Sequence, residues 1–232
     1  MKNYKKKMFK TKEEWLNFKD KTIGGSELAC IFNQSKWGNA QDVYNKILLN
    51  KRKKVKETKR MREGTLAEEN IRALFALDHQ ETMYIKNPPQ KGYAIYQRKD
   101  KPYITCTPDG FAIEKTTGNK WGLEIKDIEL RRNEDVYDWE SDVLPAQYYF
   151  QCLDYLMTMN DLVGVILTAH LKYYKFDENT QEQVFDKAVD KSYYIYRKDV
   201  ENHLKFVEEK VTNFWNTNIL KHKRPKFIFK FK

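Results

Sequence analysis

Apolar and polar residues alternate along Tyr103-Ile104-Thr105-Cys106-Thr107, and the alternation resumes at Phe111-Ala112-Ile113 after Gly110 interrupts it. Period two predicts strands with one buried face. A turn at Thr116-Thr117-Gly118-Asn119 then returns the chain through Trp121 to Ile125, so the spacing predicts a hairpin. Around it, Thr11-Lys12-Glu13-Glu14 predicts a capping box and a helix through Phe18, with Trp15 and Phe18 inward. Ser26, after the paired glycines Gly24 and Gly25, predicts an N-cap for a helix from Glu27 to Phe32. Asn39 predicts the cap of a helix from Ala40 to Leu49, with Val43, Tyr44 and Ile47 on its apolar face. A helix from Met61 to about Leu77 turns Leu66, Ile71, Leu74 and Phe75 inward. Strands are expected at Thr82 to Lys86 and Tyr93 to Gln97, and a polar loop from Asp127 to Leu144. Pro145 suits the first turn of a helix running to Met159. The unbroken apolar run Val163 to His170 predicts a strand covered on both faces, and Tyr193 to Tyr196 another. Asp199 is the expected cap of a final helix with Val200, Leu204, Val207, Val211 and Phe214 on one stripe. Strands and helices so interleaved give an α/β class.

Composition narrows the function classes. In 232 residues, 41% are hydrophobic and 14% aromatic, enough for one well-buried domain over 1–232. No apolar run reaches spanning length and the first residues lack a signal-peptide core, so a soluble, cytoplasmic protein is expected, in the host cytoplasm if phage-encoded. Three scattered cysteines, Cys30, Cys106 and Cys152, and four dispersed histidines argue against a disulfide framework, a zinc ribbon or a zinc hydrolase. The net charge is +10, and the first 60 residues carry 17 Lys and Arg against 6 Asp and Glu. With the basic end Lys221, Lys223, Arg224, Lys226, Lys230 and Lys232, the excess sits at the termini, as suits a polyanion such as DNA. The run Lys51 to Arg60 reads as a charged linker or loop.

Hairpin pairing brings Asp109 and Glu124 to one spot. Two carboxylates there repel unless a cation lies between them, and hard oxygen donors suit Mg²⁺, or Mn²⁺ in its place. Lys126 shares a face with Glu124, which suits hydrolysis of a phosphodiester: cations neutralise the phosphate and an ammonium steadies the developing charge. Glu68, on the helix after Gly64, completes the shell if it points at that corner. Gln151 and Tyr155 lie one turn apart, and a glutamine in so apolar a helix needs a backbone partner or a place at the reacting water. Near Ser26, free amides and a hydroxyl suit a phosphate. None of these is specific alone: Pro-Asp-Gly is a common turn, and Glu57-Thr58-Lys59 and Glu208-Glu209-Lys210 also match Glu-x-Lys.

The order Ile23-Gly24-Gly25-Ser26-Glu27, Gly64-Thr65-Leu66-Ala67-Glu68, Thr107-Pro108-Asp109-Gly110, Glu124-Ile125-Lys126 and Gln151-Cys152-Leu153-Asp154-Tyr155 resembles the YqaJ-type viral recombinase family, to which the bacteriophage lambda exonuclease belongs, within the PD-(D/E)xK nucleases. The likeness spans roughly residues 15 to 215. It implies a restriction-endonuclease-like core, a mixed central β-sheet flanked by helices, and a Mg²⁺-dependent exonuclease acting 5′-to-3′ on double-stranded DNA ends in recombination. It also implies metal ligation by Asp109, Glu124, the Ile125 carbonyl and Glu68, catalysis by Lys126 with Gln151 beside it, and contact of Ser26 and Lys19 with the terminal 5′-phosphate. Toroidal homotrimers and a single-strand annealing protein are the partners it implies. Three departures accompany it. Lys19 stands where an arginine is common and loses the bidentate fork, Leu153 replaces a second glutamine, and no cysteine quartet accompanies Gln-x-x-x-Tyr. An endonuclease of the same fold, or a DNA-binding or annealing module without catalysis, are the alternatives.

Overall fold

The hairpin read from the alternation is the centre of a five-stranded sheet. The computed structural model describes residues 1–50, 58–140 and 144–226. Its elements run β1 (Tyr4–Phe9), α1 (Lys12–Lys19), α2 (Gly25–Ile31), α3 (Ala40–Leu49), α4 (Lys59–Asp78), β2 (Met83–Lys86), β3 (Tyr93–Arg98), β4 (Thr105–Cys106), β5 (Gly110–Glu114), β6 (Lys120–Leu130), α5 (Asn133–Glu140), α6 (Ala146–Thr158), β7 (Gly164–Asp177), β8 (Glu182–Tyr196) and α7 (Glu201–Phe214). The main sheet has the order β2-β5-β6-β7-β8, and a smaller one the order β1-β3-β4. β5 and β6 pair antiparallel with Gly110 opposite Leu123. β6 and β7 pair in parallel from Trp121 and Gly164 onward, so the chain must cross over between them, and α5 and α6 make the crossover. The sheet is therefore mixed and flanked by helices.

Side-chain alternation along β6 sorts its residues between two layers. Leu123 and Ile125 pack with Ile71 and Phe75 of α4. Ile128 and Leu130 pack on the opposite face, in the layer built with α2, α6 and α7. Glu124 and Lys126 share that second face. β7 is enclosed by both layers, and Val165, Ile166, Leu167 and Ala169 are fully buried. Each large aliphatic side chain so buried contributes about 1.5–3 kcal/mol. The final stripe Val200, Leu204, Val207, Val211 and Phe214 is buried as its spacing predicts.

Caps follow the local sequence. Glu14 N–H donates to Thr11 Oγ1 at 3.2 Å and Thr11 N–H to Glu14 Oε2 at 3.2 Å. Gln41 N–H donates to Asn39 Oδ1 at 2.9 Å, starting α3. Trp15 and Phe18 are half-buried, against Tyr93 and Phe9.

Several expectations give way. Ser26 is not an N-cap: α2 begins at Gly25, and the inner Glu27 takes the Gly24 N–H at 3.1 Å. The strand read at Tyr103 to Thr107 shrinks to β4 and joins the small sheet through β3. Where a loop was expected from Asp127, β6 continues to Leu130 and α5 follows, because buried Ile128 and Leu130 sustain the alternation while Asp127 and Glu129 pair with Lys172 and Arg131. β7 and β8 outrun their apolar segments. On α4, Ile71 and Phe75 are buried, but Leu66 is 74% exposed and Leu74 48%. Thr58 caps that helix, so Lys59 and Arg60 are helical rather than linker. Asp199 falls in a 3₁₀ turn, and Val200 precedes α7 without a side-chain cap. The linker at 51–57 and the basic end at 227–232 lie outside the described residues. Among the described residues, no helix is long and apolar enough to cross a membrane.

Candidate active site

Asp109 sits one residue before β5, its N–H donating to the Leu123 carbonyl at 3.0 Å. Its Oδ2 turns back to accept the Ile125 N–H at 2.8 Å, so the hairpin register itself holds the carboxyl beside Glu124. Glu124 is 3% exposed. It receives the Lys126 ammonium on Oε1 and the Tyr155 hydroxyl on Oε2. The Tyr155 hydroxyl also lies 3.1 Å from the Thr107 carbonyl, and one helix of side chains thus braces the strand's acid. Glu68 arrives from α4 through Arg72, whose Nη2 donates to Glu68 Oε1 at 2.5 Å and whose Nε donates to the Asp109 carbonyl at 2.9 Å.

Charge couples these groups. Burial pushes the Asp109 carboxyl well above the usual range, with Glu124 and Glu68 adding to the rise and Lys126 opposing it. Glu68 is raised by burial against the pull of Arg72 and Lys126. Burial acts to lower Lys126, but the Glu124 and Asp109 carboxylates outweigh it and hold the ammonium firmly protonated. Among the described residues, no three His, Cys, Asp or Glu side chains stand together in ligand geometry. Each acid instead keeps an internal partner: the Ile125 N–H, the Lys126–Tyr155 pair, or Arg72.

Six of the residues singled out by sequence, Lys19, Ser26, Asp109, Glu124, Lys126 and Gln151, line one cleft of about 280 Å³. Glu68 stands outside the cleft lining, and Ile125 contributes its backbone while its side chain packs toward α4. α2 meets α6 so closely that a Cβ on Gly25 would lie 2.8 Å from the Gln151 Cα, which explains the second glycine of the pair. Gln151 Oε1 is buried with no hydrogen-bond partner. A polar atom left so must find one when a ligand enters, or cost stability.

Four residues of this region carry no role in the sequence reading: Arg72 and Lys46, and Glu27 and Asp154, which stand inside the motifs of the family resemblance. Lys46 is 8% exposed, pairs with Glu27 Oε1 at 2.8 Å and donates to the Lys19 and Thr22 carbonyls at 3.1 and 2.9 Å. Burial raises Glu27, but Lys46 outweighs it and leaves the carboxyl below its usual range. The signal was present: Lys46 follows Val43 by three on α3, a cation on the apolar face, and Arg72 follows Glu68 by four.

Residues 14–161 match the YqaJ-like viral recombinase domain. The chain belongs to the YqaJ-like viral recombinase family. Among solved structures, this YqaJ-like chain is similar to an alkaline exonuclease from Laribacter hongkongensis, with a TM-score of 0.54 and 12% identity over 91% of this chain and 97% of that one. The same exonuclease in complex with dAMP gives a TM-score of 0.49 and 13% identity over 91% and 98%. At such identity the first likeness establishes the fold, the PD-(D/E)xK architecture of a mixed sheet with flanking helices. No curated protein matches the sequence.

The donor set fits a hard divalent cation. Its groups are carboxylate oxygens, and the Glu124 charge raises the cost of ionising Asp109, a cost that a cation between them removes.

Proposed function

We propose that this YqaJ-like chain is a single-domain, Mg²⁺-dependent DNA exonuclease that degrades double-stranded ends 5′-to-3′ for recombination. The carrying observation is that Asp109, Glu124 and Lys126 converge in one cleft through the β5–β6 register. Asp109, Glu124, the Ile125 carbonyl and Glu68 are the groups that would hold the metal. When bound, Mg²⁺, or Mn²⁺ in its place, neutralises phosphate charge and makes water acidic enough to attack.

The chain's own residues account for the rest. Lys126, held charged by its two carboxylates, stabilises the extra negative charge that a phosphodiester gains as it is attacked. Tyr155 fixes the Glu124 rotamer, and Arg72, bonded to Glu68 Oε1 and to the Asp109 carbonyl, orients the Glu68 carboxylate that would be offered to the metal. Gln151, which also lines the cleft, offers its amide N–H groups to the attacking water or to a phosphate oxygen. Ser26 and Lys19, which line the same cleft, hold the terminal 5′-phosphate, which sets how far the strand can advance before it is cut.

Linear duplexes labelled separately at each end, with and without 5′-phosphate, test this reading in Mg²⁺ and in EDTA. The expected result is metal-dependent release of mononucleotides from 5′-phosphorylated ends, no cutting of closed circles, and loss of cleavage in Asp109→Ala with duplex binding retained. Full activity in Asp109→Ala would sink the proposal, and cutting of closed circles would replace it with an endonuclease.

A further inference from the structure

A second cavity of about 220 Å³ opens beside the cleft and shares Ser26, Glu27, Lys46 and Gln151 with it. We infer that this side cavity is a subsite for the base of the strand's terminal nucleotide, an inference that rests on the nuclease reading of the cleft. Its walls are Ala29, Cys30 and Val43, and at its rim stands Trp37, 66% exposed. Solvating so large a ring without a partner is unfavourable, and a ring beside an apolar slot is a platform for stacking.

The polar groups are of the kind that a heterocycle's edge requires. Gln147, 6% exposed, lines the cavity, and Gln151 brings to it the buried Oε1 that has no hydrogen-bond partner. A side-chain amide carries both donors and an acceptor, so two of them can satisfy any of the four bases without selecting one. That suits an enzyme that must digest whatever sequence reaches it.

Rigidity supports the assignment. The Trp37 N–H donates to Ser35 Oγ at 3.1 Å, and a Cβ on Gly38 would lie 3.1 Å from Cys30 Sγ. The loop bearing Trp37 is thus seated against α2, and Ser26 of that helix lines both the side cavity and the cleft. A nucleoside 5′-monophosphate unit with its phosphate at Ser26 therefore has its flat, apolar half directed to the only kind of surface that welcomes it.

The test compares 5′-phosphorylated duplexes whose terminal residue is normal or abasic, in the wild type, Trp37→Ala and Trp37→Phe. The abasic end should show a KM about tenfold higher, the effect of one lost stack, with kcat changed much less. Trp37→Ala should raise KM on normal ends similarly and add nothing on abasic ends, while Trp37→Phe restores most of the difference. Direct binding of deoxynucleoside monophosphates against 2-deoxyribose 5-phosphate, followed by Trp fluorescence, should show the same tenfold preference. Equal KM values for normal and abasic ends, or equal affinity for the two small probes, overturn the subsite. If no duplex is cut at all, the nuclease reading fails instead, and the small-molecule comparison still decides whether a base is bound.

Discussion

Asp154 is 1% exposed among the residues lining the cleft, and its buried Oδ2 has no hydrogen-bond partner among the described residues. Burial, and then Glu27, push its carboxyl well above the usual range. A carboxyl whose folded pKa lies above its unfolded one lends full stability below the unfolded value, about 3.9 for Asp, and loses it as the pH rises toward the folded value. Asp154→Asn removes this titration without changing shape. Wild type and variant should therefore melt alike near pH 4, and the variant should gain as the pH rises, by roughly 2–4 °C for each kcal/mol relieved. Thermal melts across pH check it, and a gap that stays constant with pH counts against it. Glu27, a few ångströms away, has the opposite sign because Lys46 sits on it. The two neighbouring acids thus differ by their cation, a distinction that no spacing in the sequence reveals.

α4 shows where element-level reading succeeds and where it stops. Its extent was close, because Thr58 to Asp78 is a long run without proline and with a single glycine, Gly64, yet its buried face was half misread. Leu66 and Leu74 satisfy the same helical period as Ile71 and Phe75, and only the sheet beneath decides which pair it covers. Arg72, 8% exposed, is hidden at that boundary. It ties Glu68 to the Asp109 carbonyl, so Arg72→Gln should raise the Mg²⁺ concentration needed for half-maximal cleavage by about 10- to 100-fold, the usual effect of losing an outer partner of a metal ligand. A Mg²⁺ titration measures this, and an unshifted midpoint would deny Arg72 the role. Asp109, Glu124 and Lys126 were legible because strand pairing is a short-range rule: a turn of known length sets the register. The pairing of Lys46 with Glu27 and the burial of Asp154 were not, since they depend on how α2 packs against α3 and α6. β6 outran its expected end for a related reason, since charged Asp127 and Glu129 hid the continuing alternation of Ile128 and Leu130.

At the scale of the whole molecule, the small sheet is fastened to the last helix by ions. Arg98 on β3, 7% exposed, donates to Glu208 Oε2 at 2.7 Å, and Lys101 pairs with the same carboxylate. Burial pushes Glu208 up, but the bonds from Arg98 and Lys101 outweigh it and leave its carboxyl below the usual range. Its stabilisation is then present above the unfolded value, about 4.3, and is lost as the pH falls through the lower folded one. Glu208→Gln should cost about 1 kcal/mol at neutral pH, allowing for solvent screening, with the deficit shrinking in acid. Denaturant melts at both pH values test it, and an acid-insensitive deficit excludes the ion pairs as its source. The cleft walls come from equally distant parts of the chain: Lys19 and Ser26 near the start, Gln151 and Asp154 well past the middle, pressed together where Gly25 touches Gln151. A library of truncations should accordingly contain no minimal piece with partial turnover, since cutting the chain anywhere between these walls leaves each half without the other's groups.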